Sequence, residues 1–251
     1  CFAIGYLAVP TAAVSGGVNH TQEAVAALMV LGYTQAEALH AMEGLDAADM
    51  EADEIIDRFL RNASFYRTGG ITATGGEPML QIDFLTELFA KAKVHGIHTC
   101  LDTSGIMFPG FPEDGEATSD ITLEKIDRLL DVTDLVMLDI KHIRDEDHRK
   151  LTGHSNKNIL AFARYLDQRK KPVWIRHVVV PGITFEEAEL TELGHFLKTL
   201  SNMEKLEVLP YHALGKVKYD NLGMDYVLKD TPQLTKEEAK KAEQMIRDAM
   251  S

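Results

Sequence analysis

A chain of 251 residues, 45% hydrophobic and 26% charged, is long enough for one α/β domain with a large core, alone or with a small module. Its formal net charge of −13 argues against a phosphate backbone as the main ligand, because nucleic acid is gripped by Lys and Arg. No window reaches the ~20 apolar residues of a membrane span, and the two cysteines, Cys1 and Cys100, are too few for a disulfide framework or for the thiolates of an iron–sulfur cluster.

The first residue is Cys, not Met, so the chain reads as a fragment, a processed product or a translation that begins mid-frame. Residues 1–20 are small and apolar and read as a linker or torn edge. Residues 21–63 then show helical periodicity and no strand signal. Thr21 caps a first helix ended by Gly32, and Thr34 caps a second ended by Gly44. A third is expected from about Met50 to Asn62. Val25, Leu28, Met29, Leu39, Met42, Ile55, Ile56 and Phe59 fall at helical spacing and predict a small shared core.

From residue 64 to residue 251, β-branched runs alternate with helical stretches. Strands are expected at Ile71–Gly76, His98–Gly105, Leu135–Lys141, Val173–Gly182 and Leu206–His212. Helices are expected at Ile82–His95, Leu123–Asp131, Asn156–Lys170, Phe185–Leu200 and Thr235–Met250. This alternation predicts βαβ units and a parallel sheet. The runs are nearly all apolar, as for strands covered on both faces. With no G-x-G-x-x-G fingerprint, a barrel-like arrangement is favoured over a doubly wound nucleotide fold.

Function in such barrels gathers at the carboxyl ends of the strands. Here the ends read Gly75-Gly76-Glu77-Pro78, Asp102-Thr103-Ser104-Gly105, Asp139-Ile140-Lys141-His142, Pro181-Gly182 and Tyr211-His212, and Arg176 and His177 lie inside the fourth strand. Adjacent glycines let a backbone approach a ligand. Glu77 can accept from an ammonium group, Asp102 and Asp139 from hydroxyls or a metal cation, and Lys141 can meet a carboxylate. A single polar strand end is as often a solvated loop or a helix cap as a functional group. Five successive ends predict a pocket for a charged small molecule, such as an amino-acid zwitterion bearing a ribose. His98 and His177 read as surface or core histidines, and the acidic runs at 43–54 and 113–120 as solvated faces.

The segments FYRTGGITATGGEPMLQ, GIHTCLDTSG, TDLVMLDIKH, VWIRHVVVPGIT and LEVLPYHALGKVKY resemble, in wording, order and spacing, the pyruvate formate-lyase activating enzymes of the radical S-adenosylmethionine family. The resemblance covers residues 65–250. It implies a partial (β/α) barrel in which Gly75, Gly76 and Glu77 contact the methionine end of S-adenosylmethionine. Asp139, Ile140 and Lys141 would line the same pocket, and His212 would touch its nucleoside side. Asp102, Thr103, Met137 and Asp139 would match a monovalent-cation site. A reduced [4Fe–4S] cluster, a flavodoxin-type electron donor, and pyruvate formate-lyase or a related glycyl-radical enzyme as partner are implied too, in a cytoplasmic setting. Leu214, Gly215 and Lys216 would lie in a loop that meets the partner.

The family's C-x-x-x-C-x-x-C motif is absent from this sequence, so no iron–sulfur ligands are assigned and activity is expected to be impaired. The alternatives are a non-catalytic S-adenosylmethionine-binding remnant or a helical protein-interaction module. The barrel is expected to lack its first strand, with an open edge at Ile71–Gly76 unless CFAIGYLAV takes that place. Residues 21–63, above all EAVAALMVLGYTQAEA, resemble the C-terminal three-helix, ubiquitin-associated-like domain of a Holliday-junction branch-migration subunit. The chain thus reads as a chimera, whose third helix could serve the module, the barrel or both.

Overall fold

The computed structural model describes residues 50–63, 69–75, 77–110, 121–213, 228 and 230–251, together with the backbone of residues 2–6. The elements run β1 (Phe2–Tyr6), α1 (Ala52–Arg61), β2 (Gly70–Gly75), a 3-10 turn (Pro78–Gln81), α2 (Ile82–Val94), β3 (His98–Thr103), α3 (Leu123–Asp131), β4 (Leu135–Asp139), α4 (Asp145–Thr152), α5 (Lys157–Gln168), β5 (Val173–Val179), α6 (Glu187–Leu197), β6 (Met203–Pro210) and α7 (Lys236–Met250). The six strands form one sheet in the order β1-β2-β3-β4-β5-β6. Every neighbouring pair is parallel, as the alternating pattern predicts.

The barrel expected to lack its first strand has one. Phe2–Tyr6 pairs in parallel with β2, from Phe2 opposite Ile71 to Tyr6 opposite Gly75. The part of residues 1–20 that is described is therefore a strand rather than a linker, and Phe2–Tyr6, within CFAIGYLAV, takes the vacant place. The physical reason is the row of unpaired N–H and C=O groups that β2 would otherwise present, which any extended apolar segment can satisfy. The two helices expected between Thr21 and Gly44 lie outside the described residues.

The third expected helix is present as α1. Its N-cap is Glu51, which makes a reciprocal capping box with Glu54. Ala52, Ile55, Ile56 and Phe59 point from one face of it into the same core as the sheet helices, and α1 packs on α2. The barrel therefore uses this helix.

The strand faces also differ from expectation. Along β5 the residues alternate between buried and half-buried, Val173, Ile175, His177 and Val179 being buried and Trp174, Arg176 and Val178 not. Only the helix-covered face is sealed. The other lines the open interior of the sheet, and that is where a polar site can stand. The sealed layer holds Phe89, Leu101, Leu138, Phe162 and Ile175, each fully buried; such a side chain contributes about 1.5–3 kcal/mol by leaving water.

The last helix closes the domain. Thr235 caps α7 by accepting from the Glu238 N–H, and Glu238 reaches back to the Thr235 N–H. Helix α7 packs against α6 so closely that a Cβ built on Gly194 would lie 2.5 Å from the Ile246 carbonyl and 2.6 Å from the Ala249 side chain. Gly194→Ala therefore forces the two helices apart. The overpacking outweighs the gain in helix propensity, with an expected net loss of about 1 kcal/mol in urea unfolding. An unchanged midpoint would mean that α7 does not sit as described.

Candidate active site at the carboxyl ends of the strands

Strand β2 ends at Gly75, which is exposed and has φ 132°, a conformation open to glycine and rarely to other residues. Its missing side chain leaves the end of β2 uncovered. Gly76 lies outside the described residues. The next residue, Glu77, turns its carboxylate toward β3. Its Oε1 accepts from the Met79 N–H (3.1 Å) and the Thr103 hydroxyl (2.7 Å), and its Oε2 from the Ser104 N–H (3.0 Å) and the Ser104 hydroxyl (2.6 Å). All four lone-pair positions of Glu77 are thus used by protein donors. The expected acceptor for an ammonium group is, in this arrangement, a strut between two strand ends.

The third strand brings Asp102 to the interior face. Thr74 donates to its Oδ2 (3.0 Å). Burial raises the Asp102 pKa, Arg176 opposes that rise, and the nearby Asp139 adds to it. On β4, Asp139 stands opposite Arg176 of β5 in the ladder. Arg176 Nε donates to Asp139 Oδ1 (2.8 Å) and Nη1 to Asp102 Oδ2 (3.0 Å); Nη2 and Asp102 Oδ1 form the second arm of a fork. Lys141 Nζ lies 3.3 Å from Asp139 Oδ2 and is nearly half exposed, leaving two of its N–H groups free of any described partner.

Ile140 is buried among the helices, and its peptide is occupied at both ends. Its N–H donates to the Arg176 carbonyl, and its own carbonyl contacts His177 Nδ1 at 2.7 Å. Met137 is half-buried on the interior face. His212, just past β6, is exposed, its Nδ1 3.5 Å from Gln233 Oε1. Leu214, Gly215 and Lys216 lie outside the described residues.

The sequence places both Glu77 and Ser104 at strand ends but gives no sign that they bond to each other, and it places Arg176 in a strand without a task. Arg176 had a legible signal, since a guanidinium amid Trp174, Ile175 and Val178 requires an acidic partner on the same sheet face. A second unassigned pair lies behind the site. His177 and Glu189 are each 1% exposed, with His177 Nε2 3.6 Å from Glu189 Oε2. Glu189 falls on the apolar stripe of α6 with Leu193 and Phe196, a core position that the periodicity could have flagged.

A parallel sheet whose strand ends gather an open glycine, carboxylates, a lysine and a histidine defines an α/β barrel enzyme that works at its carboxyl rim. Residues 40–193 match the model of the Radical SAM superfamily. The pyruvate formate-lyase-activating enzyme of Streptococcus mutans is 45% identical over 207 residues, 82% of this chain and 76% of the relative. That of Staphylococcus aureus is 45% identical over 184 residues, 72% of this chain and 70% of the relative. The chain therefore belongs to the radical SAM superfamily and, within it, to the family of pyruvate formate-lyase-activating enzymes. Among solved structures, a domain of a pyruvate-formate lyase-activating enzyme from Bacteroides vulgatus superposes with TM-score 0.55 at 22% identity, over 72% of this chain and 94% of that one. A radical SAM methyltransferase from Sphaerobacter thermophilus superposes with TM-score 0.53 at 16% identity, over 80% and 55%. These two likenesses show the shared fold.

The family implies S-adenosylmethionine and an iron–sulfur cluster. For the first, the donor set fits a charged zwitterion: an uncovered glycine strand end, an exposed ammonium on Lys141, and carboxylates beside it. For the cluster, the residues do not fit. Cys100 is buried inside β3, and burial pushes its thiol up to about 11, away from the thiolate a cluster needs. The sequence holds one other cysteine, Cys1, and no C-x-x-x-C-x-x-C. Among the described residues no group of three or more His, Cys, Asp or Glu side chains could hold a metal ion. The residues expected at a monovalent cation are also engaged: Asp102 and Asp139 hold Arg176, and the Thr103 hydroxyl is given to Glu77.

Proposed function

We propose that this chain forms the S-adenosylmethionine-binding and partner-recognising barrel of a glycyl-radical-activating enzyme, with pyruvate formate-lyase or a close relative as its partner. One observation carries this reading: at least four successive strand ends converge on one rim, inside a chain that belongs to the pyruvate formate-lyase-activating enzymes. Gly75, Gly76 and the Glu77 strut would shape the methionine end of the pocket. Lys141, held by Asp139, would meet the carboxylate, Ile140 would fix the backbone between them, and His212 would face the nucleoside. Asp102, Thr103 and Met137 would complete the floor. A flavodoxin-type electron donor and a cytoplasmic setting belong to the same reading. Among the described residues no helix is long and apolar enough to cross a membrane.

In the family a [4Fe–4S] cluster would supply the reducing electron; the thiols present in this polypeptide do not fit it. The expected outcome is that anaerobic reconstitution with iron and sulfide leaves no cluster signal in electron paramagnetic resonance, and no glycyl radical on pyruvate formate-lyase. A cluster signal that shifts with S-adenosylmethionine would show that groups other than a C-x-x-x-C-x-x-C motif supply the ligands and would extend the reading to the activating chemistry itself. The likeness of residues 21–63 to a branch-migration domain is a separate proposal, tested by pull-down of the motor ATPase with residues 1–63.

A further inference from the structure

Arg176 sits in the middle of β5, on the half-buried interior face. The ladder puts Asp139 directly beside it, while Asp102 lies one strand further on, paired with Met137 of β4. A guanidinium is planar and carries a fixed fork of donors, so it can span neighbouring strands where an ammonium cannot. It does so here: one edge grips Asp102 through both terminal nitrogens, while Nε holds Asp139. Asp139 in turn holds Lys141, and Thr74 holds Asp102 from β2. One cation thereby joins side chains from β2, β3, β4 and β5. Without it, two carboxylates on the neighbouring strands β3 and β4 would face the same half-desolvated interior, and would turn apart or recruit another cation.

We propose that Arg176 is a positioning residue of this rim, the fixed cation that sets Asp102 and Asp139, and through Asp139 the Lys141 ammonium, in the geometry that receives a zwitterionic ligand. The proposal rests on the S-adenosylmethionine reading above. Its role is to hold the groups that touch the ligand, and no contact of its own with the ligand is required.

The test uses the whole chain, with Arg176→Gln and Arg176→Lys beside it, and S-adenosylmethionine as the probe in calorimetry. Arg176→Gln is expected to bind about tenfold more weakly or worse, since charge-assisted contacts are lost on two carboxylates. Low-millimolar guanidinium, far below denaturing concentration, is expected to restore part of that affinity and part of the lost thermal stability, and to leave the parent chain unaffected. Arg176→Lys keeps the charge without the fork and is expected to bind between the two. Should Arg176→Gln not fold, an Arg176→Lys variant that matches the parent overturns the proposal, and one that binds several-fold more weakly supports it. Parent-like affinity in Arg176→Gln, or a loss that guanidinium does not touch, also overturns it. If the parent itself does not bind S-adenosylmethionine, the functional reading falls. The positioning role is then judged on thermal unfolding alone: rescue of Arg176→Gln by guanidinium sustains it and absence of rescue ends it.

Discussion

Replacing Glu77 by Ala is expected to lower the unfolding free energy by about 3 kcal/mol, because its carboxylate is the only described acceptor for donors at two strand ends. Thr103 is buried, and its hydroxyl donates to Glu77 Oε1. Both the N–H and the hydroxyl of Ser104 donate to Oε2. Removing the carboxylate leaves the Thr103 hydroxyl without an acceptor in the interior and frees the turn at Met79. Glu77→Gln keeps one oxygen but points an amide N–H₂ at donors, so about half of the loss is expected to remain. Urea unfolding measures the stability term. Calorimetry with S-adenosylmethionine measures the consequence at the rim, where affinity is expected to fall together with stability. A Glu77→Ala chain with parental stability would mean that the carboxylate points to solvent and that the strut does not exist.

The second large effect concerns pH. Burial pushes the Glu189 carboxyl up to about 8 from an ordinary value of 4.5, against the opposing pull of the Ile143 N–H and the Arg144 charge. Burial likewise depresses His177, from 6.5 to about 4, with the His142 charge acting in the same direction. A carboxyl that keeps its proton when folded and releases it when unfolded makes stability fall as pH rises from 4.5 toward 8. A histidine that is neutral when folded and protonated when unfolded makes stability fall as pH drops from 6.5 toward 4. Between 4.5 and 6.5 the two slopes oppose each other, and above 6.5 only the Glu189 loss remains, until it levels off near 8. That window corresponds to about 2 kcal/mol. Glu189→Gln, which cannot ionise, is expected to abolish the loss between pH 6.5 and 8, so that the variant gains on the parent as the pH rises. Parallel stability curves for the two chains would show that Glu189 does not keep its proton in the folded chain.

The expected elements show where sequence patterns carry structural information and where they do not. Strands β2 to β6 and helices α2, α3, α5, α6 and α7 are legible because apolar side chains recur at strand or helix spacing, and because Thr122 and Thr235 are natural caps. Helix α4 was not foreseen. Of its residues DEDHRKLT only His148 is buried, so it has no apolar stripe. Its signals are electrostatic: acids in the first turn, Arg149 and Lys150 in the last, and Gly153 in the left-handed conformation just after it. Strand β1 reads in the sequence as either a linker or a substitute strand, for a different reason. FAIGY pairs through backbone groups, which every residue but proline carries, so a short run beside no recognisable rim motif looks like a linker.

At the site, residue types were legible and their engagements were not. The pattern of acids and glycines at strand ends pointed to the rim. It could not tell that Glu77 is saturated by Thr103 and Ser104, or that Ile140 has both ends of its peptide bonded. Those facts depend on register, which places residues from strands more than twenty positions apart side by side. The Arg176–Asp102 pair is 74 residues apart in sequence for the same reason.

The central claim is that the carboxyl rim of this barrel holds S-adenosylmethionine through groups that need no iron. The most direct measurement is isothermal calorimetry of S-adenosylmethionine into iron-free protein, with Lys141→Ala as the paired control. Saturable binding by the parent chain, weakened about tenfold or more in Lys141→Ala by loss of the charge that meets the carboxylate, is the predicted result. No heat of binding to the parent chain, or equal affinity in the two, would contradict the claim and leave the chain with the family's fold but without its cofactor site.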